Sequence, residues 1–249
     1  MKQITILRII TTLIVMAMSI SVFSQGKINR NTQKTNSSKH VHVSASSISG
    51  TINGHDYVDL GLPSGLKWAT CNVGANSITS SGDYFAWGET SPKNEYTWDN
   101  YFDYDYTSEY GDVFCKKYKG GNHNEDKDAI LPNSGDDVAR NNWGSTWRMP
   151  TYSEMRELID SCKWQCVSIY GVSCWKIIGP SKKFIILPLA GKKIGNKTDG
   201  KNEWGYYWTA TVGKYQESSD AEGVAGYWRG ISGGIGERYQ GAPIRPVSN

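Results

Sequence analysis

Ten tryptophans and fifteen tyrosines are scattered through a chain that also carries 27 glycines. Rings in such number cannot all stay in water, which excludes a wholly disordered chain. A low content of strong helix formers beside abundant Gly, Trp and Tyr argues against a helical bundle. A turn-rich β or α+β domain is what remains. The 249 residues fit one large domain or two small ones.

The start of the chain has a different character. Lys2 and Arg8 precede an uncharged apolar run from Ile9 to Val22, and Val22-Phe23-Ser24 sets small residues at the right spacing before Gln25. This is the pattern of a cleavable secretory signal over residues 1–24. The competing reading is an uncleaved anchor helix extended through Ile4 to Leu7. No cysteine stands near the cleavage point, which argues against a lipid anchor. No other apolar run approaches the roughly 18 residues of a membrane span, so no span is expected in the mature chain. Residues 25–50 are rich in Ser, Asn, Thr, Lys and Gln and read as a flexible polar linker. His40 and His42 stand there two apart, a poor metal clip on such a segment.

Charge narrows the partners. The 27 basic groups include two in the leader (Lys2, Arg8) and four in the linker (Lys27, Arg30, Lys34, Lys39), and neither holds an acid. Residues 51–249 therefore keep 21 basic groups against 24 acidic ones, a net of −3. A nucleic-acid surface needs a basic face, and the balance offers none.

Five cysteines, Cys71, Cys115, Cys162, Cys166 and Cys174, all fall in the mature part. An odd number leaves at least one unpaired or joined to another chain. One or two structural bridges, or buried free thiols, are both compatible with export. No Cys-x-x-Cys spacing is present for a redox or zinc role.

Short alternating segments predict strands at 57–60, 66–71, 84–87, 175–178, 184–187, 206–212, 223–229 and 244–247. Pro188 limits the fifth of these. One helix is clear at about 151–163. Thr151 follows Pro150 as N-cap, Glu154 completes a capping box, and Met155, Leu158, Ile159 and Cys162 form the apolar face. A second helix is expected near 136–141. Residues 94–125 read as a long loop with some local structure, dense in rings and acids.

Several segments carry a family likeness. Residues 56–75 (Asp56-Tyr-Val-Asp-Leu-Gly-Leu-Pro-Ser-Gly-Leu-Lys-Trp-Ala-Thr-Cys-Asn-Val-Gly-Ala75) resemble the opening of the Fibrobacter succinogenes major paralogous domain. So do Gly82-Asp-Tyr-Phe-Ala-Trp-Gly-Glu-Thr90, residues 137–151 with Trp143 and Trp147, Gly205-Tyr-Tyr-Trp-Thr-Ala210 and residues 238–247. The likeness runs in order through nearly all of 51–249. It implies an irregular α+β fold, similar to C-type lectin-like domains and the formylglycine-generating enzyme group, with small twisted antiparallel sheets, few helices and long loops. It implies an exported protein of Bacteroidetes or Fibrobacteres type and no particular activity. Where the family often has Gly-Phe-Ser-Val-Arg, this chain has Gly241-Ala-Pro-Ile-Arg245. Pro243 removes a backbone donor there, so the last strand is expected to start after it or to lie at an edge.

Catalytic patterns are sparse. A formylglycine-generating oxidase needs a late thiol pair, and no cysteine follows Cys174. A serine hydrolase has only His55 and His123 to draw on in the domain, with no Gly-x-Ser-x-Gly elbow. A carboxylate-based hydrolase needs only two acids among 24, so it stays as an alternative. For a cofactor the expectation is none, with calcium the one candidate. Asp126, Asp128, Asp136 and Asp137 cluster with Glu125, Asn122, Asn124 and Asn133, all oxygen donors. The competing reading is a solvated acidic loop, with Asp137 capping the short helix. No EF-hand pattern and no Glu-Pro-Asn or Trp-Asn-Asp sugar-site signature accompanies them.

Aromatic rings supply the last candidate. A flat ring stacks on the apolar face of a sugar while neighbouring acids accept its hydroxyl protons. Tyr96, Trp98, Tyr101, Tyr104 and Tyr106, among Asp99, Asp103 and Asp105, are the candidate ligand-binding set. Trp68, Trp87, Trp143, Trp147 and Trp208 are expected in the core, and Arg148 and Arg245 in structural roles. The expectation is an exported, non-catalytic recognition domain at the cell surface, secreted or in the periplasm, that binds a glycan or a surface protein. The alternatives are a subunit of a surface or fimbrial assembly, and a carboxylate-based hydrolase.

Overall fold

Two residues in left-handed backbone, Asn53 (φ 47°) and Gly54 (φ 79°), close the first hairpin. They join β1 (Gly50–Ile52) to β2 (His55–Asp59), with Ile52 opposite His55. Asn tolerates this conformation and Gly adopts it without strain, so Asn-Gly selects a two-residue turn that matches the twist of the strands. The computed structural model describes residues 47–118, 131, 135–213, 219–227 and 230–249. These belong to one compact unit, His40–Asn249.

β2 runs antiparallel to β3 (Lys67–Ala69), and β3 to the last strand, β14 (Val247–Ser248). The sheet order β1-β2-β3-β14 thus ties the start of the folded body to its end. Between these lie a hairpin of β4 (Tyr104–Thr107) and β5 (Val113–Cys115), then two helices, α1 (Val138–Trp143) and α2 (Tyr152–Ser161). A three-stranded sheet follows, β6 (Lys163–Ile169), β7 (Val172–Ile178) and β8 (Phe184–Pro188). A small hairpin, β9 (Lys192–Ile194) with β10 (Lys197–Asp199), leads to a second three-stranded sheet. Its strands are β11 (Trp204–Val212), β12 (Asp220–Tyr227) and β13 (Gly230–Glu237). Every named strand pairing is antiparallel, and the architecture is α+β.

The helix signals hold locally. Thr151 Oγ1 accepts from the Glu154 N–H at 3.2 Å, and Glu154 Oε2 accepts from the Thr151 N–H at 2.8 Å. The helix is shorter than expected, because Cys162 turns extended (φ −113°, ψ 156°) and β6 begins at Lys163. α1 lies two residues later than expected, capped by Asp137. Residues 84–87 make only a single bridge, Phe85 to Ala242, and no strand. The closing strand is confined to 247–248, because Pro243 and Pro246 bring no N–H donors to the segment before it.

Four packed clusters form the interior among the described residues, the smallest of them Ile169, Cys174 and Ile186. Trp175, Tyr207, Met155 and Leu158 pack with Leu60, Leu66 and Trp68 in the first. Trp87, Trp208 and Met149 centre the second, and Tyr84, Tyr96 and Tyr101 the third. Trp68, Trp87, Trp147 and Trp208 are fully buried, while Trp143 is half-buried. Tyr206 lies against glycines of the neighbouring strands: a Cβ at Gly223 or Gly236 would stand 2.7 or 2.5 Å from its hydroxyl. The five cysteines are free thiols, which removes the structural-bridge alternative. Among the described residues no helix is long and apolar enough to cross a membrane.

Candidate functional site

The five rings singled out in the sequence go to three different places. Tyr96 and Tyr101 are 0% and 4% exposed and belong to the core. The Tyr96 hydroxyl donates to the Tyr84 carbonyl and accepts from the Lys93 N–H at 3.3 Å, and burial pushes its pKa up to about 12. The Tyr101 hydroxyl donates to the Trp87 carbonyl at 2.7 Å, and burial raises its pKa well above 10. Neither ring offers a face to a ligand, which corrects the expectation for these two. Their hydroxyls find partners on the preceding segment 84–87, and that offsets the cost of burying them.

Trp98 and Tyr104 are half-buried. Trp98 sits in a ring cluster, 4.9 Å from Tyr239, 5.5 Å from Tyr101 and 6.1 Å from Tyr104 between centroids. Tyr104 also shares a hydrogen bond with Thr107 Oγ1 at 3.1 Å. They form the shoulder between the core and the β4–β5 hairpin.

Tyr106 alone of the five is exposed, at 52%. Directly across the hairpin stands Phe114, 40% exposed. Their rings stack with centroids 4.7 Å apart and planes 10° apart. Tyr110, 78% exposed, rides on the connecting turn. That turn is held by Ser108, whose N–H donates to the Asp112 carbonyl at 2.8 Å and whose Oγ accepts from the Asp112 N–H at 3.1 Å. Asp105 and Glu109, the chain neighbours of Tyr106 and Tyr110, are exposed. Phe114 and Tyr110 were not among the candidate residues. The signal for Phe114 is its cross-strand position, which becomes visible only once residues 108–112 are recognised as a turn.

The base of the hairpin is fixed by a buried ion pair. Asp103 is 3.6 Å from Arg238 and accepts from the backbone N–H groups of Lys117 (2.6 Å) and Tyr118 (3.2 Å). Arg238 lies 4.9 Å over the Trp87 ring and donates to the carbonyls of Tyr118 and Asp220. A buried charge is tolerable only with such partners. The rings of the hairpin thus project from a rigid support.

The acidic candidates divide as well. Asp126 and Asp128 lie outside the described residues. Asp136 accepts from Lys117 Nζ and from the Tyr118 hydroxyl at 2.6 Å. Asp137 is buried, caps α1 through the Arg140 N–H at 3.0 Å, and accepts from the Met149 N–H at 3.0 and 3.2 Å. Burial raises the Asp137 pKa, against the pull of these N–H groups. Both carboxylates are thus engaged by protein donors. Among the described residues no three His, Cys, Asp or Glu side chains gather as a metal site.

Comparison with family models, with curated proteins and with solved structures finds no match for this chain. The class that the described residues define is an α+β protein of small antiparallel sheets bearing an aromatic hairpin.

Proposed function

We propose that this chain is an exported, non-catalytic recognition domain of the Fibrobacter succinogenes major paralogous type, with a C-type lectin-like fold, and that it binds glycans through the β4–β5 hairpin. The observation that carries the reading is the stacked, exposed pair Tyr106–Phe114 with Tyr110 beside it. The stacked pair keeps the outer face of each ring open, and such a face can take the apolar side of a pyranose, while the exposed Asp105 and Glu109 nearby in the chain supply acceptors for hydroxyl groups. Contiguous exposed rings on a soluble surface mark binding sites. The rigid base at Asp103 and Arg238 lowers the ordering cost of binding. Buried acids elsewhere serve the fold: Asp103 pairs with Arg238 and Asp137 caps α1.

A glycan array probed with the purified protein tests this. Binding that disappears in Tyr106→Ala and Phe114→Ala, with the circular dichroism spectrum retained, supports the reading. An array without signal, beside capture of a surface protein that the same variants abolish, moves the ligand from glycan to protein. Binding indifferent to both variants removes the hairpin from the site.

A further inference from the structure

The sheet β6-β7-β8 ends on β6, whose outer side pairs with no strand among the described residues. β6 pairs with β7 along its whole length, from Lys163 opposite Ile178 to Ile169 opposite Val172, without a shift in register. Among the described residues none hydrogen-bonds to the backbone of its outer edge. Such an edge is a row of unpaired N–H and C=O groups, and proteins usually guard it with proline, a bulge, charge or a covering segment. The other edge strand of this sheet, β8, ends on Pro188. β6 reads Lys-Trp-Gln-Cys-Val-Ser-Ile, without proline, glycine or bulge, and its one charge stands at the first position.

We propose that two copies of this chain pair through β6, antiparallel, about a two-fold axis at Cys166. Cys166 is the middle of the seven residues, so this register sets Cys166 of one copy against Cys166 of the other. Gln165 then faces Val167, Trp164 faces Ser168 and Lys163 faces Ile169 of the second copy. No charge meets its like. The two lysines fall at opposite ends of the ribbon, about 20 Å apart at ~3.4 Å per residue. A parallel pairing in register would instead set Lys163 against Lys163, and like charges directly opposite destabilise a sheet. The exposure pattern suits this pairing: Lys163, Gln165, Cys166 and Ser168 are exposed, and only Ile169 is fully buried. The two sheets would join into one of six strands, with backbone hydrogen bonds supplying the affinity and the side-chain register the selectivity. Nothing in this pairing uses the rings of the β4–β5 hairpin, so its failure and failure of the glycan reading are separate events.

Sedimentation velocity of the purified protein in reducing buffer reads the pairing. Dimer that grows with concentration is expected. Cys166→Lys places two ammonium groups on the axis, and Cys166→Asp two carboxylates. Each alone weakens dimerisation by at least about tenfold, and an equimolar mixture of the two variants restores a dimer. Diamide, which takes two electrons and two protons from a pair of thiols, links wild-type chains through Cys166 and leaves Cys166→Ser unlinked. A wild-type protein that stays monomeric at every concentration overturns the proposal. So does a dimer unaffected by either charged variant, or a diamide link that survives Cys166→Ser. The wild-type sedimentation and cross-link results decide the matter even where a charged variant folds poorly.

Discussion

The guanidinium of Arg245 donates through Nε to Asn72 Oδ1 at 2.8 Å, deep in the interior. The same group also donates to the carbonyls of Ala69 (3.0 Å), Thr70 (2.9 Å) and Ile186 (2.8 Å). It therefore ties the end of β3 to the middle of β8 from a position two residues before β14. An arginine cannot shed its charge, so its burial depends on these acceptors. Arg245→Met would take the guanidinium donors from three buried acceptors and from the partly buried Thr70 carbonyl. At ~1–3 kcal/mol for each buried one, the loss should exceed about 3 kcal/mol, enough to unfold many domains. Urea denaturation followed by tryptophan fluorescence measures it. A loss below about 1 kcal/mol would contradict this account.

The aromatic platform makes a sharper demand than loss of binding. Tyr106→Ala should leave the midpoint of thermal unfolding nearly unchanged, because the hairpin pair contributes only about 1 kcal/mol. The same substitution should weaken glycan affinity by about tenfold or more. Tyr96→Ala should do the reverse in kind, collapsing the fold through a cavity and costing about 3–5 kcal/mol. Calorimetry beside a binding titration separates the two.

His55 lies flat on Trp143, with centroids 3.6 Å apart and planes 6° apart. Burial lowers the His55 pKa below 6.5, partly offset by the carboxylate of Asp56. The folded state therefore prefers the neutral imidazole. Above pH 6.5 both folded and unfolded chains hold His55 neutral, and its contribution to stability is complete. As pH falls below 6.5 towards the depressed folded value, the unfolded chain takes up the proton first, and stability is lost. The unfolding midpoint of wild type should fall over that window more than that of His55→Phe. Equal slopes for the two proteins would refute the assignment.

The thiols give a chemical test of burial. Burial pushes Cys162 up to about 11 and Cys174 up to about 12, so both are poor nucleophiles at neutral pH. Cys166 alone of the five is exposed, although partial burial raises its pKa as well. A thiol-reactive disulfide reagent should label Cys166 fastest in the native protein and all five cysteines in denaturant. Reducing agent should leave the thermal midpoint of the monomer where it was.

Asp137→Ala should destabilise by about 1–2 kcal/mol, the range for a lost N-cap. Here the Met149 N–H is orphaned as well, which places the value at the upper end. Chemical denaturation of the variant against wild type reads it.

Local chemistry was legible in the residues. The capping box at Thr151 and Glu154 needs only a side chain and a backbone three positions apart. Turns at glycine and the limits set by Pro188 are legible for the same reason, since they act on the φ and ψ of one or two residues. Other strands carried no local sign. β6 follows a helix without a turn signal, and β13 holds four glycines in eight residues, a poor strand by composition. Each is a strand because a partner strand lies beside it, and of the β13 glycines Gly236 makes room for Tyr206 and Gly233 for Tyr152.

Sorting the rings required the tertiary structure. Tyr96, Tyr101 and Tyr106 are alike in type and close in sequence, yet two are core and one is exposed. The sequence alone determined that this chain must bury many aromatic groups on a turn-rich α+β frame, because hydrophobic area and turn residues are properties of composition and neighbours. Which ring turned inward was decided by acceptors outside its own segment, the carbonyls of Tyr84 and Trp87 lying 12 and 14 positions earlier, and by the ion pair of Asp103 with Arg238, 135 positions apart. Burial is a sum over contacts that only a folded chain brings together, so no window of adjacent residues contains it.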